Sequence, residues 1–212
     1  MPRRNRIDPW GDLHAVTGRG LFTGNRGCLV DEGGRTVRHH RGTLWITCLL
    51  EYQGWKHPLD QPRTWTPIFF LDDAVALAAG HRPCGLCRRR AYLDYRDAVS
   101  RAEGSSRRPG AGDLNRRLER ERLRRGRGLE RAGDRIVWVA RIESLPNGTV
   151  IVGTRRAPLL VVEDRLMSYS FGGWADSSAR PRQGSVQVIT PPTSVAAMRH
   201  GFEPVLHPSA NR

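Results

Sequence analysis

Apolar residues in this chain come in short runs cut by glycine, proline and arginine. The run from Leu44 to Tyr52, Leu-Trp-Ile-Thr-Cys-Leu-Leu-Glu-Tyr, is rich in strand formers and predicts a central strand. Ahead of it, Gly18-Arg19-Gly20 and Gly24-Asn25-Arg26-Gly27 mark turns. Asp31-Glu32-Gly33-Gly34 predicts a hairpin turn before Arg35–His39, so residues 18–55 read as β-rich. Residues 1–13 are polar, with Pro2, Pro9 and Gly11, and predict an N-terminal segment that is loose or only tacked down. Pro58, Pro62 and Pro67 break the next stretch into loop and edge.

Phe69-Phe70-Leu71 then closes a short strand. Asp72 is placed to N-cap a two-turn helix over Asp73–Ala79, with Gly80 as its left-handed C′ residue. A second helix is predicted from Arg88 to Ala102, with Tyr92, Tyr95 and Val99 at helical spacing. Gly104–Gly112 reads as a loop. Asp113 to Arg125 predicts a basic helix whose apolar stripe is only Leu114, Leu118 and Leu123. Such a helix is either a solvated one laced with Glu–Arg pairs or a phosphate-facing one. From Asp134 strands return at Ile136–Ile142, Thr149–Val152, Leu159–Val162 and Val186–Ile189, with Pro146-Asn147-Gly148 as a turn.

The fold class is therefore α+β, in three parts. A zinc-stabilised β-rich part with short helices spans 1–103, a basic linker and helix 104–130, and a small antiparallel β part 131–212. Residues 72–84 can also be laid on 193–205, since both read cap, short helix, Gly, two residues, Pro. Shared helix-ending punctuation is the plainer account of that likeness.

Composition adds a partner. The net charge is +14, from 35 basic residues against 21 acidic ones, and Lys56 is the only lysine. A GC-rich genome explains arginine over lysine but not the excess of positive charge, which points to a polyanion. The first ten residues lack the apolar run of a signal peptide, and no stretch of about 18 apolar residues exists to span a membrane. The expectation is a cytoplasmic protein with no membrane partner, in which thiols stay reduced.

In that setting Cys84-Gly85-Leu86-Cys87 reads as a metal knuckle. The spacing aims two thiolates at one ion, and Zn²⁺ takes four ligands in a tetrahedron. Cys48 is the natural third ligand; Cys28 is the first candidate for the fourth, with His39, His40, His57 or an open position as competitors. A redox dithiol fits less well, because that motif opens a helix whereas this one follows a helix and a Gly-x-x-Pro bend. A thiolate-rich site is poor at activating water, so a structural zinc is expected.

The stretch Phe70–Arg88, with its aromatic strand end, Ala-rich helix and Gly-His-Arg-Pro-Cys-Gly-Leu-Cys, resembles the second half of the Ada-like metal-binding domain of bacterial methyl-phosphotriester repair proteins. The resemblance implies zinc and an association with DNA. It covers few of the 212 residues. Widely separated Cys28 and Cys48 stand where that domain has a compact cysteine pair, one of them the methyl acceptor, and no Pro-Cys-His-Arg motif is present. Gly24–Gly27, Trp45–Cys48, the knuckle and Val195–Pro208 together resemble a bacterial protein family over nearly the whole chain, which implies one coherent unit.

Arg82, Arg88, Arg89 and Arg90 flank the knuckle and are the first candidates for phosphate contact, joined by Arg26 and Arg41 from the β segment. Trp55, Trp65 and Trp174 sit in loop-like segments and are candidates to stack on bases, or to pack in a core. Asp113, Glu119 and Glu121 are weak candidates for a hard-metal site, and no phosphate-loop or dinucleotide motif occurs. Three functions follow: a zinc protein that binds nucleic acid, DNA rather than RNA; an enzyme acting on nucleic acid, such as a nuclease or an alkyl acceptor through Cys48; or a zinc-stapled protein-interaction module.

Overall fold

The computed structural model describes residues 2–59 and 63–211, so Pro62 lies outside the described residues. The first sheet is built from β1 (Arg6–Ile7), β2 (Leu13–His14), β3 (Phe22–Asn25), β4 (Ile46–Cys48) and β5 (Ile68–Phe70). Helix α1 (Asp73–Ala78) follows, and β6 (Arg82–Pro83) completes that sheet. Next come α2 (Arg89–Ala102) and α3 (Ala111–Arg122). The second sheet contains β7 (Trp138–Arg141), β8 (Val150–Val152), β9 (Pro158–Val162), β10 (Arg165–Ser170), β11 (Gly173–Ala179) and β12 (Ser185–Val188). Helix α4 (Pro192–Arg199) and a 3-10 turn at Pro208–Asn211 follow. The protein is α+β; among the described residues no helix is long and apolar enough to cross a membrane.

The first sheet is mixed, in the order β2-β1-β5-β3-β4-β6, with β1 parallel to β5 and β4 parallel to β6. The second is antiparallel throughout, in the order β11-β10-β9-β8-β12-β7. Its strands have two apolar faces. Val150, Leu160 and Met167 join a core with α1, Ile7, Leu13, Ile68 and Phe70. Their neighbours Ile151, Val161 and Leu166 join a second core with Tyr95 and Val99 of α2 and Val195 and Met198 of α4. The alternation follows from the two-residue period of a strand. Both cores therefore draw on residues from 1–103 and from 131–212.

Two expectations are corrected. Residues 2–13 are neither loose nor merely tacked down, because Ile7 and Leu13 are buried on a hairpin held against β5. The run Leu44–Tyr52 is a strand only over Ile46–Cys48; beyond it Leu49 and Leu50 are exposed and Gln53-Gly54 turn with positive φ. Helices α1 and α2 match their predicted spans closely, whereas α3 ends at Arg122, short of the predicted Arg125. The likeness of 72–84 to 193–205 has a local basis. Gly80 and Gly201 both take left-handed φ, of 84° and 96°. In each case the following amide, His81 or Phe202, returns to a carbonyl five residues back, Ala76 or Ala197.

Asp72 ties this arrangement together. Its Oδ1 accepts the Val75 amide at 3.0 Å and caps α1. Its Oδ2 accepts the Trp174 indole N–H at 2.7 Å and the His207 amide at 3.0 Å. Trp174 is thus a buried core residue, not a base-stacking one. Burial pushes the Asp72 carboxyl up to about 6, opposed by the donors from Trp174, Val75 and His207. Asp72→Ala leaves three buried donors without an acceptor, each worth about 1–3 kcal/mol. Urea unfolding of that variant is expected to show a loss of about 3 kcal/mol or more; a loss under about 1 kcal/mol contradicts this account.

Candidate metal centre and basic cleft

Three of the four cysteines are brought together. Cys48 ends β4, opposite Thr23 of β3. Strand β6 lies parallel to β4, and the Cys84 amide donates to the Thr47 carbonyl at 2.8 Å, which sets Cys84 beside Cys48. The chain then turns tightly through Gly85 and Leu86, the Leu86 amide pointing at Cys84 Sγ at 3.4 Å, and returns with Cys87. The sulfur atoms of Cys48, Cys84 and Cys87 all lie within 4.8 Å of one another, and no disulfide joins them. Hydrogen bonds from Cys48 and then Cys87 lower the Cys84 thiol well below its ordinary value, while the bond to Cys84 raises that of Cys48. Three thiols this close are a donor set that fits a soft dication.

Cys28 is not part of the trio. It sits in the loop after β3, where its thiol donates to the Val30 carbonyl at 3.5 Å. His39 and His40 are also elsewhere, packed against Trp45. His57 does share a space with the thiols. A cavity of about 240 Å³ is lined by Cys48, Cys84 and Cys87 on one side and by Tyr52, Trp55, His57 and Trp65 on another. The His57 ring lies 3.7 Å from the Trp65 ring, centroid to centroid, and its Nδ1 meets the Pro58 carbonyl at 2.7 Å. That bond requires a proton on Nδ1, which leaves the Nε2 lone pair available.

The six candidate phosphate-contacting arginines divide. Arg88, directly after the knuckle, is buried: Nη1 and Nη2 donate to Asp73 Oδ1 and Oδ2 at 2.6 and 2.7 Å, and Nη1 also donates to Thr47 Oγ1 at 2.8 Å. Arg82 is buried too, donating from Nε to Asn115 Oδ1 at 2.9 Å and from Nη1 to the Pro83 carbonyl at 3.0 Å. Arg26 is fully buried, with Nη1 on the Gly11 carbonyl at 2.8 Å. These three side chains face the interior and do not reach a surface ligand. Arg41, Arg89 and Arg90 are exposed, and Arg90 pairs with Asp94 at 2.9 Å. The acidic trio is likewise dispersed. Asp113 caps α3 through the Gly110 amide, and Glu121 accepts the Thr193 amide and hydroxyl at the start of α4.

Two buried arginines, Arg26 and Arg122, pack on Trp45. Arg122 stands 3.8 Å and Arg26 4.9 Å from its ring centroid. The rings of His81, His40 and His39 lie 5.0, 5.1 and 5.7 Å away. Arg122 and Arg135 reach the carbonyls at the end of α1: Gly80 for Arg122, Ala78 and Ala79 for Arg135. Among the described residues no carboxylate lies within 4.0 Å of Arg26, Arg122 or Arg135. Burial pushes all three guanidinium groups down to about 9.

Beside this cluster opens a cleft of about 530 Å³, lined by His40, Glu119, Arg120 and Arg122, and by Leu123 to Gly126 with Arg131. Arg120, Arg124 and Arg125 are exposed. The candidate phosphate contacts at the knuckle are thus joined by the end of the basic helix and the loop after it, the stretch that reads in sequence as either solvated or phosphate-facing. Its signal in the sequence is the density of arginine from Arg120 to Arg127. No family model, curated protein or solved structure matches the chain, so the site is read from its own chemistry.

Burial, then the Arg26 charge, pushes His39 down to about 2, and burial with Arg26 and Arg122 holds His81 far below the ordinary range. Both imidazoles are neutral in the fold and gain a proton readily only when unfolded. Their stabilising contribution is complete above the unfolded value of about 6.5 and is lost as the pH falls below it. Each such group steepens the loss by at most about 1.4 kcal/mol per pH unit, approached below about pH 5.5; His40, held down to about 4, adds to it, and Asp72, raised to about 6, works against it. Chemical unfolding is expected to show stability falling from pH 7 to 5, less steeply in His39→Gln; a flat profile refutes it.

Proposed function

We propose that this is a zinc-containing protein that binds nucleic acid, DNA rather than RNA, in repair, regulation or defence. The observation that carries the reading is the basic cleft and its flank. Arg120, Arg124, Arg125 and Arg127 are exposed and make no ion pair among the described residues, at the end of a helix and the loop that follows it. Exposed, unpaired guanidinium groups in one place are what a phosphate backbone recruits. The contact surface is thus assigned to the end of α3 more than to the knuckle. Binding to a short DNA duplex or single strand is expected to weaken steeply with salt. Arg124→Gln with Arg125→Gln should flatten the log–log slope by about 2 units, roughly one for each phosphate left without its arginine. Binding indifferent to salt would falsify the reading.

We assign zinc to Cys48, Cys84 and Cys87, the three donors that cluster within 4.8 Å of one another, and propose His57 for the fourth place, which it takes by closing in across the shared cavity. Of the four residues considered for that place, His57 alone lines the cavity the thiols face, and its Nδ1 bond leaves Nε2 free to ligate. The ion's part is to lock β4 to the knuckle. Elemental analysis is expected to give one zinc per chain, lost in Cys84→Ser. His57→Ala should weaken zinc binding roughly tenfold or more and shift the visible spectrum of the Co²⁺-substituted protein, while His57→Cys restores tight binding. A Co²⁺ spectrum unchanged in His57→Ala removes His57 from the site.

A second reading is favoured by the same cavity, which gives a small electrophile access to the thiols. It is an enzyme acting on nucleic acid in which a metal-held thiolate such as Cys48 accepts an alkyl group. Mass spectrometry after incubation with methylated DNA checks it: an unmodified Cys48 overturns it.

A further inference from the structure

The cleft at the end of α3 has more positive charge behind it than binding to a phosphate backbone requires. Four guanidinium groups line it without a carboxylate partner among the described residues: Arg120, Arg122, Arg124 and Arg125. Arg131 also lines it but is neutralised by Asp134. The one acidic residue on the wall is Glu119. The C-terminal carbonyls of α3 add about half a negative charge, too little to balance the rest.

The floor is continuous with the cluster around Trp45. Arg122 and His40 both line the cleft and both pack on the Trp45 ring, which also carries Arg26. Arg26 Nε and Nη2 and Arg135 Nε are buried donors that meet no acceptor in the protein. Buried charge of one sign without a partner is expensive, and it raises the potential at the nearest opening to solvent.

We propose that this cleft binds a phosphomonoester, the dianionic terminal phosphate of a nucleic-acid strand. The inference rests on the nucleic-acid reading above and specifies the part of the strand that is held. A phosphodiester backbone presents single charges spaced along a strand, and a row of surface arginines suffices for it. A terminal phosphate concentrates up to two charges and three acceptor oxygens at one point. That matches guanidinium groups lining a single cleft, backed by further buried charge.

His40 supplies an internal reporter. His39 Nε2 lies 2.9 Å from the Gly11 carbonyl and so carries a proton, which makes its Nδ1 an acceptor. The His40 Nδ1, 3.0 Å from His39 Nδ1, is then the donor, and His40 Nε2 has a lone pair. Burial first, then the charges of Arg26, Arg122 and Arg131, push His40 down to about 4. With His39 neutral beside it, a dianion in the cleft is the one new charge His40 meets, and it must raise the titration midpoint of that imidazole.

The test uses the full-length zinc-loaded protein and one oligonucleotide prepared with a 5′-phosphate, a 3′-phosphate or hydroxyl ends, with inorganic phosphate as the free-ligand arm. The expected result is tighter binding of a phosphorylated end by roughly tenfold or more, abolished in Arg124→Gln/Arg125→Gln. Inorganic phosphate is expected to compete and to shift the His40 imidazole resonances, with the midpoint moving up. Equal, salt-dependent binding of all ends with unmoved His40 resonances overturns the inference and leaves nucleic-acid binding standing. Movement of His40 with free phosphate, but no binding of any oligonucleotide, supports the phosphate site and overturns the nucleic-acid reading.

Discussion

The structure depends on one buried ion pair. Arg88 holds Asp73 with both nitrogens of its fork and reaches Thr47 with the same group, while its guanidinium lies 3.8 Å from the Phe22 ring centroid. Asp73 Oδ2 also accepts the Val205 amide at 3.0 Å. Thr47 precedes Cys48 and Arg88 follows Cys87, so the pair sets the distance between the strand and the knuckle that carry the thiols. It also binds the start of α1 to the C-terminal segment. A pair this deep is stabilising because both Asp73 oxygens and both terminal nitrogens of Arg88 have partners; removing one side leaves a buried charge, at about 3–5 kcal/mol.

The same physics explains how arginine is used here. A guanidinium group stays charged when buried, lies flat on aromatic rings and donates in several directions to backbone carbonyls. Arg122 and Arg135 use those donors on the carbonyl end of α1, whose short helix lacks a basic residue of its own in its last turn. Gly80 makes this possible, because a Cβ there would stand 2.8 Å from Arg122 Cδ. Part of the positive charge is therefore interior scaffolding. Exposed arginines are spread over the surface, and at the end of α3 several of them stand next to the buried, unpaired ones. The cysteine cluster and the cleft thus depend on different arginines: Arg88, paired with Asp73, and Arg26 and Arg122 around Trp45, left without a carboxylate partner among the described residues.

Local signals are legible where a short rule decides the outcome. The Asp72 cap, the Gly80 stop and the tyrosines of α2 are set by neighbours within one or two turns. The knuckle is equally local, because Cys-x-x-Cys closes on itself. The hairpin β10–β11 leaves little trace in the sequence: Gly173–Ala179 is mostly exposed beyond Trp174, and a register shift between Leu166 and Ser168 breaks the alternation. The N-terminal hairpin is hidden in another way, because polar residues surround the two apolar ones, Ile7 and Leu13, that sheet pairing buries.

By itself the sequence determined the α+β class, helices α1 and α2, the Cys84–Cys87 knuckle, and a large positive charge. Each of these depends on residue type or on spacing along the chain. Only the tertiary structure decided which charges face water and which thiol completes a cluster. Arg82, Arg88, Arg89 and Arg90 look alike in sequence, yet two are buried and two exposed, because the knuckle turns the first pair onto Asn115 and Asp73 and the second towards solvent. Cys28 and Cys48 also look alike, but strand pairing carries only Cys48 to the knuckle, since parallel β6 runs beside β4 and not beside the loop that holds Cys28.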